Sequence, residues 1–289
     1  MTAIQIIECV TNEFLPIYQI LKLFKVGIDM QNILNELTEI SAKHPSLWFR
    51  GHSSVTYKLN SGLYRINADK SEVLGHENNI YNSFVNLGAM HIEHFGNSND
   101  KDWNTLFMMQ HYGMPTRLLD WTSSFITALY FANLGRNKDE GAVIWALDPI
   151  AMNNNCHRLY DTTNDSEYDT IGYLTLDTLP SRIKKYTNYY NEAIHIKSFA
   201  LMPRRSNQRL ISQNGFFTVQ GTDALPLEEE YEKNIGEFLY KIELPPETYE
   251  DSLKYLKVNG VDYYSLFGGI DGLCKHIKDE LLNIKFENK

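Results

Sequence analysis

Residues 110 to 134, QHYGMPTRLLDWTSSFITALYFANL, set polar and charged groups directly before an apolar helix. Thr116, Arg117, Leu118 and Leu119 form a short strand-like run ending at Asp120 and Trp121. Thr122, Ser123 and Ser124 then supply hydroxyls where a helix should begin. Phe125, Ile126, Leu129 and Ala132 follow at helical spacing, widened by Ala128 and Phe131, until Gly135 ends the stripe. A helix start offers unpaired N–H groups and a positive dipole end, which favour a carboxylate or a phosphate. Asp120 there either caps the helix or faces a ligand.

The second chemical piece is Leu47-Trp48-Phe49-Arg50-Gly51-His52. Strand alternation puts Leu47 and Phe49 on one face and Trp48 and Arg50 on the other, so the arginine points with an aromatic rather than into open water. A shielded guanidinium needs an anion, either a carboxylate of the chain such as Asp120 or a ligand phosphate or carboxylate. His111 could hydrogen-bond a diphosphate or ribose, carry a proton near neutral pH, or be a core histidine bonded to a carbonyl. Trp48, Trp121 and Tyr112 could stack on a base or nicotinamide, or simply pack. His91 and His94 lie three apart with Glu93 beside them, but two ligands without a clear third do not make a metal site, and none is expected. No phosphate loop, Gly-x-Gly-x-x-Gly, Gly-x-Ser-x-Gly or His-Glu-x-x-His pattern occurs, which removes the commonest hydrolase and nucleotide classes.

Around these groups the elements alternate between helix and strand. Residues 3 to 42 read as mostly helical with a break near Pro16, followed by a strand at 46 to 50. Helices are predicted at 72 to 95 and 103 to 112, and a buried strand at 141 to 147 between Gly141 and Pro149. Residues 150 to 191 are polar and tyrosine-bearing without periodicity, an irregular insertion or lid. Strands resume at 193 to 201, 208 to 212, 215 to 220 and 237 to 243, and the end is helical from Pro246 to Leu256 and from Gly269 to Leu282.

Composition sets the outer limits. A chain of 289 residues, 43% hydrophobic, can bury one large core or a main domain with a small one. A net charge of −9 argues against broad binding to a nucleic-acid backbone. Three scattered cysteines, Cys9, Cys156 and Cys274, favour free thiols in a reducing cytoplasm. Neither a signal peptide nor an apolar run of about twenty residues for a bilayer is read, so no membrane partner is expected.

The chain resembles the FRG domain family of bacteria and their phages, named for a Phe-Arg-Gly motif present here as Phe49-Arg50-Gly51. The likeness runs through Leu63, Arg65, Glu77 and Phe84, the block Gln110-His111-Tyr112-Gly113 with Pro115 to Thr122, and Arg209 with Gln213, Gly215 and Phe217. It extends to the tail Leu266 to Leu273 and covers most of residues 45 to 275, which implies a helical segment at 1–44 and an FRG domain at 45–289. A weaker resemblance is to ADP-ribosyltransferases, in the order Arg50-Gly51, Thr122-Ser123-Ser124, then RLISQNGFFTV at 209 to 219. The expected fold is therefore α+β, with a mixed central sheet resembling the split sheet of those enzymes and helices at both ends. Where those enzymes carry a glutamate, this chain has Gln213, and nothing acidic lies between Arg204 and Gly221. A neutral amide can bond a ribose hydroxyl but cannot offset oxocarbenium charge.

These resemblances imply NAD as a substrate, with ADP-ribosyl transfer or NAD cleavage as the chemistry. Arg50, Ser123, Gln213 and His111 would form the catalytic set. Arg50, Gly51, Tyr112, Arg117, Asp120, Thr122 and Arg209 would hold the nucleotide. Family context implies an intracellular, toxin-like effector in phage-host conflict, with a protein target or neutralising partner. A non-catalytic nucleotide or phosphate-binding module, or a protein-interaction module, is the alternative, and a purely structural polar network of Arg50, Arg117, Asp120 and His111 is the third reading.

Overall fold

The computed structural model describes residues 17–66, 69–92, 100–156, 172–180, 183–187, 195–204 and 208–281. Strand β1 (Trp48–His52) shows the expected alternation. Trp48 stacks on Phe216 with ring centroids 4.5 Å apart, whereas Phe49 meets Phe125 edge-on at 6.1 Å in a different core.

Before β1 runs helix α1 (Ile17–Lys43), and after it come α2 (Lys70–Leu87) and α3 (Lys101–His111). Strand β2 (Leu118–Thr122) leads into α4 (Phe125–Asn133), then β3 (Ala142–Leu147) and the short α5 (Pro149–Asn155). Strands β4 (Leu174–Thr175) and β5 (Phe199–Met202) precede α6 (Gln208–Ser212), β6 (Gly215–Val219) and β7 (Leu239–Leu244). Helices α7 (Tyr249–Val258), α8 (Tyr263–Phe267) and α9 (Gly269–Leu281) close the described chain.

The strands form one mixed sheet of seven in the order β4-β5-β6-β2-β1-β3-β7, antiparallel except for β4 with β5. The fold is α+β with helices at both ends, as the sequence implies. Strand β2 pairs with β6 from Leu118 to Thr122, and β1 pairs with β3 from Trp48 to His52. Between them, β1 and β2 share the single pair Phe49 with Thr122. The sheet is thus two well-bonded blocks hinged at one point.

Two apolar layers fill the faces. One gathers Trp48, Trp103, Phe107, Trp121, Phe199 and Phe217. The other packs Met30, Ile33, Leu37 and Ile40 of α1 with Phe49, Leu129 and Ile144, so the first described helix shares a core with the sheet. Gly51 belongs to this second contact. A Cβ there would lie 2.0 Å from Ala128 O and 2.5 Å from Ala132 N, both backbone atoms of α4. The glycine of the Phe-Arg-Gly motif is therefore required by helix-on-strand approach, a packing reason the ligand-binding expectation did not include.

Arg117 also departs from expectation. It is fully buried, its Nε donates to Glu77 Oε1 at 2.6 Å, its Nη2 pairs with Glu77 Oε2, and its Nη1 donates to Gln220 O at 3.0 Å. Burial alone would lower its pKa, but the Glu77 carboxylate prevails and raises it well above the ordinary value. Tyr186 donates to the same carboxylate. Arg117 holds α2 to β2 and is not available to a ligand.

Other boundaries shift for local reasons. The run 208 to 212, expected as a strand, is helix α6, with Gln213 N donating to Arg209 O at 3.0 Å and Asn214 turning at φ 47° to start β6. Asn tolerates the left-handed region, so it ends the helix here. The 72 to 95 helix breaks at Gly88 and resumes over Ala89–Ile92, and Glu93 and His94 lie outside the described residues, as do the expected break at Pro16 and half of the 150 to 191 insertion. Of that insertion, Pro149–Asn155 is helical and Leu174–Thr175 joins the sheet edge.

Two stability outcomes follow from these contacts. Gly51→Ala should cost about 3 kcal/mol or more, because no flexible side chain can yield to the new methyl; urea unfolding checks it. Glu77→Ala should cost roughly 3–5 kcal/mol by stranding a buried guanidinium, and an unchanged unfolding midpoint would contradict the pairing.

Candidate functional site

Where the ladder between β1 and β2 lapses, the open strand edges flank a cleft of about 580 Å³. Arg50 spans the gap. Its Nη1 donates to the Asp120 main-chain O at 2.7 Å, replacing a ladder bond, and its Nε donates to His52 Nε2 at 3.0 Å. Its Nη2 makes no hydrogen bond within the described protein and borders the cleft. Burial, reinforced by the nearby Arg65 charge and opposed by Asp120, lowers the Arg50 pKa to about 10. That direction is opposite to Arg117, which has a carboxylate in contact.

The cleft also takes Lys58, Arg65 and Arg209 from three separate segments. Arg65, at the end of a single turn Leu63–Arg65, has no hydrogen bond or ion pair for its guanidinium among the described residues. Arg209 lies over the Phe267 ring at 5.1 Å and is likewise unpaired with any carboxylate. Lys58 differs, since its Nζ meets Glu229 at 2.6 Å. Asp120 is the one carboxylate among the described lining residues. A smaller recess of about 310 Å³, bordered by Gln110 and Gly113, shares Arg65 with the cleft.

Two buried donors on residues lining this space close no hydrogen bond of normal geometry among the described residues. Arg50 Nε can only donate, so His52 Nε2 accepts and the proton sits on Nδ1. The Tyr57 backbone exerts an opposing pull but closes no hydrogen bond of normal geometry with that Nδ1. Burial first and the Arg50 charge second lower the His52 pKa to about 3. Gln213 Nε2 is the other, at the turn from α6 into β6. Buried donors are ordinarily satisfied, so two at one cleft mark places for acceptors from elsewhere.

The hydroxyl run before α4 serves the fold. Thr122 Oγ1 donates to Gln213 O at 2.6 Å and accepts from Ser124 N at 3.0 Å, tying β2, α4 and the α6 turn together. Ser124 is the helix cap, accepting from Thr127 N at 3.3 Å, so Asp120 is not. Ser123, expected to order the site, is exposed and gives its N–H to Asn214 O at 3.2 Å, outside the cleft lining. The cleft meets the flank of α4 through Ala128 and Phe131 rather than its start.

The structure therefore brings Arg50, Gly51, Asp120, Thr122, Arg209 and Gln213 to one cleft. His111 and Tyr112 stay outside its lining, at the C-terminal end of α3. Tyr112 is 73% exposed, and His111, half-buried, has its pKa lowered by burial and then by the Arg209 charge. Arg65 and His52 are the functional residues that the site expectation missed. The period-two alternation that places Arg50 also places His52 beside it, so that signal was present in the strand.

Residues 45–141 match the family model described as FRG domain. The chain carries an FRG domain. Within the FRG match fall Arg50, His52, Arg65 and Asp120, whereas Arg209 and Gln213 reach the same cleft from beyond it. No curated protein and no solved structure matches the chain.

A neutral His52 has a measurable consequence. Unfolded, the imidazole takes up its proton near 6.5, while in the fold it stays neutral down to about 3. Its contribution to stability is full above pH 6.5 and is lost on acidification toward 3, at up to about 1.4 kcal/mol per pH unit. Melting curves of His52→Gln should fall less steeply than those of the parent between those limits; parallel curves would count against a neutral buried ring.

Proposed function

We propose that the FRG domain captures a diphosphate-bearing nucleotide, NAD first among them, in the cleft between β1 and β2. The observation that carries this reading is the convergence of Arg50, Arg65 and Arg209, none paired with a carboxylate, in a chain whose net charge is −9. Guanidiniums recognise phosphate oxygens through paired, directional donors, and a half-buried site strengthens the attraction relative to open water. Gln213, whose Nε2 has no partner among the described residues, adds a neutral donor beside them. Tyr57 and Phe131 supply aromatic surface for a base.

Binding without cleavage is the form the site favours, because Gln213 is a neutral amide where opposing a cationic carbon calls for a carboxylate. ADP-ribosyl transfer or NAD cleavage is the second reading, favoured by the order Arg50, Thr122-Ser123-Ser124 and Gln213 along the chain. In hydrolysis the bond between C1′ and the nicotinamide nitrogen breaks with its electron pair going to nicotinamide, while water adds to C1′ and loses a proton. Either form suits an intracellular effector in phage-host conflict, the setting that the family resemblance supplies.

Calorimetry with NAD, followed by assay of the same samples for free nicotinamide, tests both. Binding should weaken as salt rises. Arg65→Ala and Arg209→Ala should each lower affinity at least about tenfold while leaving the melting temperature nearly unchanged, since neither guanidinium has an internal carboxylate to abandon. Absent binding at millimolar NAD, or variants that bind like the parent, would overturn the capture; stoichiometric nicotinamide release would make the cleft an active site.

A further inference from the structure

We infer that Asp120 selects the sugar of the bound nucleotide, accepting the hydroxyls of a ribose and turning away a 2′-phosphate. This rests on the nucleotide reading above and specifies one part of it. Asp120 is an unusual residue to find beside so many cations. An exposed carboxylate near Arg50, Arg65 and Arg209 would ordinarily fold onto one of them, yet it makes no ion pair with any within 4.0 Å among the described residues.

Asp120 is instead held by a directed chain of hydrogen bonds. Leu118 N–H, which can only donate, gives its proton to Thr116 Oγ1 at 3.1 Å. Thr116 Oγ1 donates to Gln110 Oε1 at 2.6 Å, and Gln110 Nε2 donates to Asp120 Oδ2 at 2.7 Å. The Asp120 carboxylate only accepts, so it fixes the amide with Nε2 toward Asp120 and Oε1 toward the Thr116 hydroxyl, and a flipped amide would set two oxygens face to face. The origin of the chain is equally fixed. Gly113, at φ 78°, ends α3 with Gly113 N on Gln110 O at 3.1 Å and Met114 N on Met109 O at 2.9 Å, a paired closure that sets Gln110 at the helix end.

What this leaves is Asp120 Oδ1, free of hydrogen bonds within the described protein and oriented by its partner oxygen. An ionised carboxylate only accepts, so it calls for hydroxyl or N–H donors and repels phosphate. The same residue's main-chain O holds Arg50 Nη1 at 2.7 Å, which places guanidinium and carboxylate side by side. The ligand groups they take must be adjacent too. In a nucleotide, the group adjacent to the phosphate is the sugar rather than the base, which favours a vicinal diol over a base N–H, much as an acidic residue reads ribose hydroxyls in dinucleotide folds.

The test is calorimetry of the whole chain with ADP, 2′-deoxy-ADP, 2′-phospho-ADP and inorganic pyrophosphate. The parent should bind ADP about ten to a hundred times more tightly than 2′-deoxy-ADP, and 2′-phospho-ADP more weakly than ADP. Asp120→Asn should erase most of both preferences while leaving pyrophosphate binding equal or tighter. Gln110→Leu should narrow the ribose preference without affecting pyrophosphate, the signature of a positioning residue. Equal binding of ADP and 2′-deoxy-ADP by the parent sinks the sugar assignment and leaves nucleotide capture standing. Failure of ADP, NAD and pyrophosphate alike to bind removes both.

Discussion

A single arginine bridges the place where the sheet comes apart. Backbone N–H and C=O groups at strand edges must be satisfied, and β1 and β2 satisfy them through their outer partners β3 and β6 while sharing only the Phe49–Thr122 pair between them. Arg50 Nη1 on the Asp120 carbonyl substitutes a side-chain donor for the missing ladder. A side chain holds two strands farther apart than a peptide pair does, so the contact that joins the blocks also keeps the cleft open. It leaves Nη2 and the Asp120 carboxylate facing the same space.

The two arginines nearest this junction show why position decides role. Arg117 and Arg50 are each drawn out of water, yet Glu77 raises the pKa of one while burial lowers that of the other to about 10. A guanidinium with a bonded carboxylate is part of the scaffold, and one whose charge is tolerated without a carboxylate is open to an anion. The scaffold role of Arg117 extends through Gln220. That residue accepts from Arg117 Nη1 on its main chain and from Ser61 N on its side chain at 2.7 Å, tying the loop that carries Lys58, Asn60 and Arg65 to the buried pair. The cation-bearing loop thus rests on a buried charge that itself never meets the cleft.

Much of this was legible in the residues. The apolar stripe from Phe125 predicted α4, GAVIWAL predicted β3, and alternation through Trp48 and Phe49 predicted their opposite cores. The pairing of the Arg50 strand with the Asp120 junction also emerged, seventy positions apart. What misled was residue type read without depth. Arg117 looked like a ligand group because it stands in the block that carries the family resemblance, and Ser123 because it sits in a hydroxyl run, yet the carboxylate for one lies on α2 and the other is exposed at the turn before α4. The 208 to 212 run, read as a strand, is a helix that ends at the left-handed turn of Asn214.

Sequence by itself determined most of the helices and strands and which of their faces are apolar, because those properties are set by local spacing and side-chain chemistry. Tertiary structure decided that β1 and β2 part after one pair, that Glu77 claims Arg117, that Gly51 yields its space to α4, and that Arg65 and Arg209 arrive unpaired from distant segments. The reason is physical: a charge's role depends on which opposite charge and how much water lie within a few ångströms, and that neighbourhood exists only once the chain has folded.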